Sequence, residues 1–187
     1  MKKKELIQLI MDAAGVRSVD RTTALHLNNS FNTTVGQLFV RDQGQWAFYR
    51  KRITLAVTER VASLEGIPII QTRTNANGVL SVYPTASDDK TVFYPAPYYL
   101  MRSSADVTKL SGVVYYSVTP DEVTFSTSLP KEVTELYADI VPELQYYEDD
   151  DEIPLPTGIA QVIIDQAVQA LKGNIAHQPI INRRPVQ

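Results

Sequence analysis

The sequence predicts an α+β fold in which terminal and central helices form a bundle and a β-sheet is inserted between them. Three observations predict it. Apolar residues recur every three or four positions near both ends and again around residues 45–64. From Ile67 to Val141 the pattern changes to short alternating runs separated by Gly, Pro, Asn and Asp. Apolar residues make up 44% of the chain and charged residues 21%, enough to fill a core and too few charges for a disordered chain.

The first helix spans Lys3–Ala14, with Leu6, Ile7, Ile10 and Met11 on one face and Gly15 at its C-terminal cap. Residues Val16 to Gly44 are rich in Thr, Asn and Ser and show no period, so they read as a long irregular connection with a short strand at Leu38–Val40. The strongest helical pattern follows over Gln45–Leu64, where Trp46, Tyr49, Ile53, Val57, Val61 and Leu64 share a face before Gly66 and Pro68. Trp46 and Tyr49 read as core packing.

Strands are expected at Ile69–Arg73, Val79–Tyr83, Thr91–Tyr94, Tyr98–Arg102, Val113–Val118, Glu122–Ser126 and Glu135–Val141. Thr74-Asn-Ala-Asn-Gly78 and Thr119-Pro120-Asp121 supply hairpin-like turns. A last helix, Thr157–Lys172, is capped by Thr157 and closed by Gly173, with Ile159, Val162, Ile163, Ala167, Ala170 and Leu171 on its apolar face. The expected organisation is one α+β domain over 1–173, helical at 1–66 and 155–173 and β-rich at 67–147. Residues 174–187 have no period and form an extended C-terminal arm.

No cysteine is present, which excludes disulfide scaffolds, thiolate zinc sites and cysteine nucleophiles. His26 and His177 have no ligand-spaced acid or histidine beside them. Neither a Gly-x-Ser-x-Gly elbow nor a phosphate-cradling glycine loop occurs. The expectation is a protein that is not an enzyme, with no cofactor and no metal. Met1-Lys-Lys-Lys-Glu-Leu-Ile has the basic end of a leader, but Glu5, Gln8 and Asp12 interrupt the apolar stretch, so it reads as a mature cytosolic start. No window approaches a membrane span.

Charge is uneven along the chain. Residues 1–60 carry a balance of +5 and residues 61–187 a balance of −8. A basic half and an acidic half suit head-to-tail contact between identical copies. Arg50, Lys51 and Arg52 are the densest basic group, fanned around the expected central helix. With Ile180, Ile181, Arg183 and Arg184 of the arm, they are the candidate interface residues. Glu148, Asp149, Asp150, Asp151 and Glu152 form the densest acidic run, expected to be an exposed loop without metal, since it lacks the spacing and central glycine of a calcium loop.

The second half carries a resemblance. Val113-Val-Tyr-Tyr-Ser-Val-Thr-Pro-Asp-Glu-Val-Thr-Phe125 is followed by Val133-Thr-Glu-Leu-Tyr-Ala-Asp-Ile-Val-Pro142, then the acidic run, then Ile153-Pro-Leu-Pro-Thr-Gly158 and a helix. A strand pair, a further strand ending in Pro, an acid-rich loop and a Leu-Pro-capped helix resemble the connector and adaptor rings below the portal of tailed bacteriophages. The nearest likeness is to ring proteins of crAss-like phages, and the resemblance spans Val113 to Gly173. It implies a structural virion protein, made in the bacterial host cytoplasm, that forms a homo-oligomer, a dodecameric ring, in the portal-proximal neck or tail. Such a ring surrounds the DNA channel and joins the capsid portal to the tail. It contacts the portal protein and other neck rings, and genomic DNA passes through without sequence-specific binding. The acidic loop would then face the channel, and the terminal arm would reach across subunits.

Two other functions fit parts of the sequence. A carbohydrate- or receptor-binding β-rich module would use exposed aromatics such as Tyr94, Tyr98 and Tyr99. A carboxylate hydrolase would use Asp149 to Asp151.

Overall fold

The computed structural model describes residues 1–41, 49–71, 78–96, 112–155 and 158–177, with the side chains of 38–41 and 174–177 outside the description. The chain divides into two compact units, one of residues 1–35 with 147–187 and one of residues 36–146.

In the first unit, helix α1 spans Lys3–Ala14. The Lys2 backbone N–H donates to the Glu5 carboxylate at 3.0 Å, a contact that satisfies one of the donors a helix start leaves open. Gly15 ends the helix in the left-handed region at φ 73°, where a side chain is disfavoured. Leu6, Ile10, Met11 and Ala14 are buried.

Helix α2 spans Arg21–Arg41, where the sequence pattern predicts an irregular connection with a strand at Leu38–Val40. Asp20 starts it, accepting the Thr23 backbone N–H at 2.7 Å. This bond holds the Asp20 carboxyl below its ordinary value. Its buried face is Thr23, Leu27, Ser30, Phe31, Thr34 and Val35. That spacing is helical, but half of the face is Thr or Ser, so hydrophobic periodicity does not register it. The Thr34 hydroxyl meets the demand of its own burial with the Ser30 carbonyl, 2.8 Å away.

Helix α3 spans Ile159–His177, burying Ile163, Ala167 and Leu171 and packing on α1. Gly173 does not close it. The helix continues through the first four residues of the expected arm, because a single helical glycine costs only about 1 kcal/mol. The expected Thr157 cap and residues 178–187 lie outside the described residues.

The second unit overturns the expected helical bundle with a sheet insertion. Its body is a seven-stranded mixed sheet: β1 Lys51–Thr58, β2 Val61–Ser63, β3 Val79–Pro84, β4 Val92–Pro95, β5 Val113–Val118, β6 Glu122–Phe125 and β7 Glu135–Ile140. The order is β3-β7-β1-β2-β6-β5-β4. The pair β4–β5 is parallel and the other neighbours are antiparallel. The end strands β3 and β4 touch each other, so the sheet nearly closes into a barrel.

No helix is present over residues 49–64, the described part of the central helix expected at Gln45–Leu64. Residues 42–48, Trp46 among them, lie outside the described residues, and from Lys51 the chain is extended. Along β1, Ile53, Leu55 and Val57 turn inward while Arg52, Thr54, Ala56 and Thr58 are exposed. A spacing of four, as in Ile53, Val57 and Val61, is also a multiple of two, so it satisfies a strand as well as a helix. Leu55 breaks the tie: it is opposite the expected helical face yet only 1% exposed. The turn at Glu59-Arg60 joins β1 to β2, and Glu59 takes a positive φ of 55°.

Inside the barrel, Leu55, Ala62, Leu64, Val123, Phe125, Leu136, Ala138 and Ile140 make up most of the core. Phe93 meets Phe125 edge-on at 5.8 Å. The strands expected at Val79–Tyr83, Thr91–Tyr94, Val113–Val118, Glu122–Ser126 and Glu135–Val141 are β3, β4, β5, β6 and β7 within a residue at each end. Ile69 forms only an isolated bridge to Pro142. Residues 72–77, which hold the end of the strand expected at Ile69–Arg73 and its turn, and the expected strand Tyr98–Arg102 lie outside the described residues.

Tyr49, just before β1, is 0% exposed, and its hydroxyl has no hydrogen-bond partner among the described residues. Burial pushes its phenol up to about 12. Tyr49→Phe is expected to leave stability unchanged or raise it by up to about 1 kcal/mol, read from urea unfolding. A clear loss would show that the hydroxyl is bonded.

Candidate interface sites

Two charged features are built from described residues, one in each unit. The first is on the outer face of the barrel. Strand β1 is antiparallel to β7, and Arg52 lies directly opposite Asp139. On the other side of β7, Tyr83 of β3 lies opposite Tyr137. The Arg52 Nε donates to Asp139 Oδ1 at 3.2 Å, and the Tyr83 hydroxyl donates to the same oxygen at 2.7 Å. Arg50 Nη1 is 3.7 Å from Asp139 Oδ2.

The Arg52 guanidinium also lies over two rings, 4.8 Å from the centre of Tyr83 and 5.7 Å from that of Tyr137. The two rings are 5.9 Å apart. The Asp139 side chain is 8% exposed, whereas those of Arg50 and Arg52 are 58% and 57% exposed. The carboxylate is thus covered by the two cations it positions. The Asp139 bond holds the Arg52 guanidinium above its already high ordinary value, so its charge is permanent at any working pH.

The expected basic triplet is therefore split. Alternation along a strand sends Lys51 to the opposite face from Arg50 and Arg52, and its Nζ lies 5.4 Å from the Tyr146 ring centre. Tyr83, Tyr137 and Asp139 were not legible as site residues. Only the strand register places Asp139 against Arg52, and the one signal in the sequence is an acid on the outward side of an alternating strand.

The second feature is the acidic run. The structure places it against the start of α1. The backbone N–H groups of Lys3 and Lys4 donate to the carbonyls of Asp151 and Asp149, each at 3.0 Å. The backbones of Lys2 and Glu152 form an isolated antiparallel β-bridge, and the Ile153 N–H donates to the Met1 carbonyl at 2.9 Å. Asp150 receives the ammonium of Lys4 at 2.5 Å and that of Lys2 at 3.5 Å. Asp151 turns back to accept the Glu148 N–H at 3.1 Å. Glu148, Asp149 and Glu152 remain exposed, and no cation reaches ion-pairing distance of them among the described residues.

The Lys4 hydrogen bond and charge hold the Asp150 carboxyl below its ordinary 3.8, and Asp150 holds the Lys4 ammonium above its ordinary 10.5. A depressed acid contributes stability that is present above 3.8 and lost as pH falls through its folded value. A raised base contributes below 10.5 and loses it as pH rises through its folded value. The pair therefore acts between about pH 4 and about pH 10. In Lys4→Ala the Asp150 titration midpoint, followed by carboxyl NMR, is expected to move up; an unmoved midpoint would rule the contact out.

Ile180, Ile181, Arg183 and Arg184 lie outside the described residues. An open groove of about 580 Å³ in the second unit is lined by Leu64, Ile67, Pro68, Pro120, Asp121 and Tyr146 among others. Among the described residues it gathers one carboxylate, that of Asp121, and no base. Among the described residues, no group of three or more His, Asp or Glu is placed to hold a metal ion. No described helix is long and apolar enough to cross a membrane. No known protein-family model matches the chain, and comparison with curated proteins gives no significant match.

Proposed function

We propose that the protein is a non-enzymatic structural subunit of a virion, one copy in an oligomeric ring of the portal-proximal neck or tail of a tailed bacteriophage. The observation that supports this reading is the order of elements from Val113 onward. The hairpin β5–β6 is followed by β7 and Pro142, then the acid-rich loop, Ile153-Pro154-Leu155 and α3. That succession is the one the connector resemblance rests on. In this reading the ring joins the portal to the tail, DNA passes through its lumen without sequence readout, and the partners are the portal protein and adjoining rings.

Immunogold labelling with an antibody against the chain, on purified phage particles, tests it. Gold at the junction of head and tail is expected; particles without gold there count against the proposal.

A carbohydrate- or receptor-binding module is the second reading. Tyr94 on the end strand β4 favours it, being 51% exposed with its ring 6.2 Å from that of Tyr115. Tyr98 and Tyr99 lie outside the described residues. Saturable glycan binding by the isolated protein, lost in Tyr94→Ala, would favour this module over the ring.

A further inference from the structure

We infer that the Arg50–Arg52 platform on the outer face of the barrel is the docking site for the acidic run 148–152 of a second copy of this chain, a contact that rests on the ring reading and gives it its subunit interface.

The platform is a built site. Asp139 is nearly covered and fixes two guanidinium groups from below, and the Tyr83 and Tyr137 rings support one of them. Two cations over one carboxylate leave a net positive charge facing outward. Arg52 on β1 and Arg50, just before the strand, reach the same Asp139 carboxylate. Guanidinium groups held in this way present fork-like donors that match carboxylates in geometry as well as charge. Because they are already positioned, little side-chain entropy remains to be lost on docking.

The matching surface is on the same chain. Within the run, Asp150 takes the ammonium groups of Lys2 and Lys4. Glu148, Asp149 and Glu152 are left exposed on a loop whose backbone is pinned at Lys3, Lys4 and Met1. An acidic edge on one unit and a basic platform on the other, meeting between copies, make a heterologous contact, the type that closes into rings when its rotation permits. Duplex DNA is the poorer occupant. Two phosphate-sized contacts give weak binding, and a chain of net charge −3 repels a polyanion.

The experiment is a charge swap on the full chain, with self-association followed by sedimentation velocity over a concentration series. Arg50→Glu alone and Asp149→Arg alone are each expected to weaken association by roughly tenfold or more. Arg50→Glu combined with Asp149→Arg is expected to return it to within about threefold of the wild type. Raising the salt concentration is expected to weaken wild-type association in the same direction. Melting curves check that each variant folds; if Arg50→Glu does not, Arg50→Gln takes its place and is expected to weaken association in the same direction.

Association unchanged in either single variant, or no rescue in the combined one, overturns the contact. So does a wild type that stays monomeric at every concentration. A titration with labelled duplex DNA is the other arm: saturable binding that Arg50→Glu abolishes, with association intact, assigns the platform to nucleic acid instead. Gold at the neck together with unaffected association leaves the ring standing without this contact. Rescue by the swap without gold at the neck leaves the contact standing and removes the ring.

Discussion

Gly78→Val is expected to destabilise the barrel unit by about 1–3 kcal/mol, seen as a lower urea midpoint at unchanged slope. Gly78 sits where three chain segments meet at one end of the sheet. Its N–H donates to the Ile70 carbonyl at 2.7 Å, the Val141 N–H donates to the Gly78 carbonyl at 2.6 Å, and the Ile70 N–H donates to the Val141 carbonyl at 3.0 Å. Ile70 and Val141 are both fully buried. A Cβ on residue 78 would lie 2.6 Å from Ile69 Cγ2, 2.7 Å from the Val141 oxygen and 3.0 Å from the Ile70 oxygen. A methyl group can yield, but two backbone carbonyls already engaged in hydrogen bonds cannot without opening the junction. Gly78→Ala is expected to show the same defect at smaller size. A midpoint within error of the wild type in both variants would mean that the three segments do not meet so closely.

Leu55→Ala is expected to cost about 2–5 kcal/mol, while Ala56→Ser, one residue on, stays within about 0.5 kcal/mol of the wild type. Leu55 is paired with Leu136 across β1 and β7, and both side chains are buried in the barrel core. Truncating Leu55 leaves a cavity among neighbours held by two strand ladders, with little freedom to collapse into it. Ala56 faces outward. The pair of variants separates a two-residue period from a helical one: on a helix with Ile53 and Val57 facing the core, Leu55 would be on the far side and its loss would be mild. Equal effects at the two positions would contradict the extended strand.

Those two residues also show how much of the fold was legible in the sequence. Strands β3, β5, β6 and β7 were readable because local alternation and turn residues agree there. Thr119 and Glu122 close the β5–β6 turn by mutual hydrogen bonds, the Thr119 N–H donating to the Glu122 carbonyl at 2.9 Å. In β1 the local pattern was degenerate, and pairing with β7 decides it. Helix α2 was hidden for the opposite reason: its inward face uses Thr23, Ser30 and Thr34, and a buried hydroxyl costs little where it bonds within the helix, as that of Thr34 does with the Ser30 carbonyl. The sites followed the same rule. The acidic run was visible as charge, but its seating on Lys2 and Lys4 depends on contacts between residues far apart in sequence. Arg50, Lys51 and Arg52 were visible as a basic group fanned around a helix, and only the extended chain brings Arg50 and Arg52 together at Asp139 with Lys51 facing away.

The order in which the sheet is strung has a consequence for how the protein is made. Lys51 pairs with Ile140, so the ladder between β1 and β7 joins residues separated by roughly ninety positions, a long-range contact of the kind that slows folding. At ribosomal rates of about 5–20 residues per second, β1 waits several seconds for its partner. Throughout that interval Ile53, Leu55 and Val57 form an apolar strip on a nascent chain, with one open edge. Helix α1 waits longer still, because α3, on which it packs, follows the barrel in the chain. Neither unit can fold to completion while its sequence is still emerging, so both apolar segments are made well before the partners that cover them.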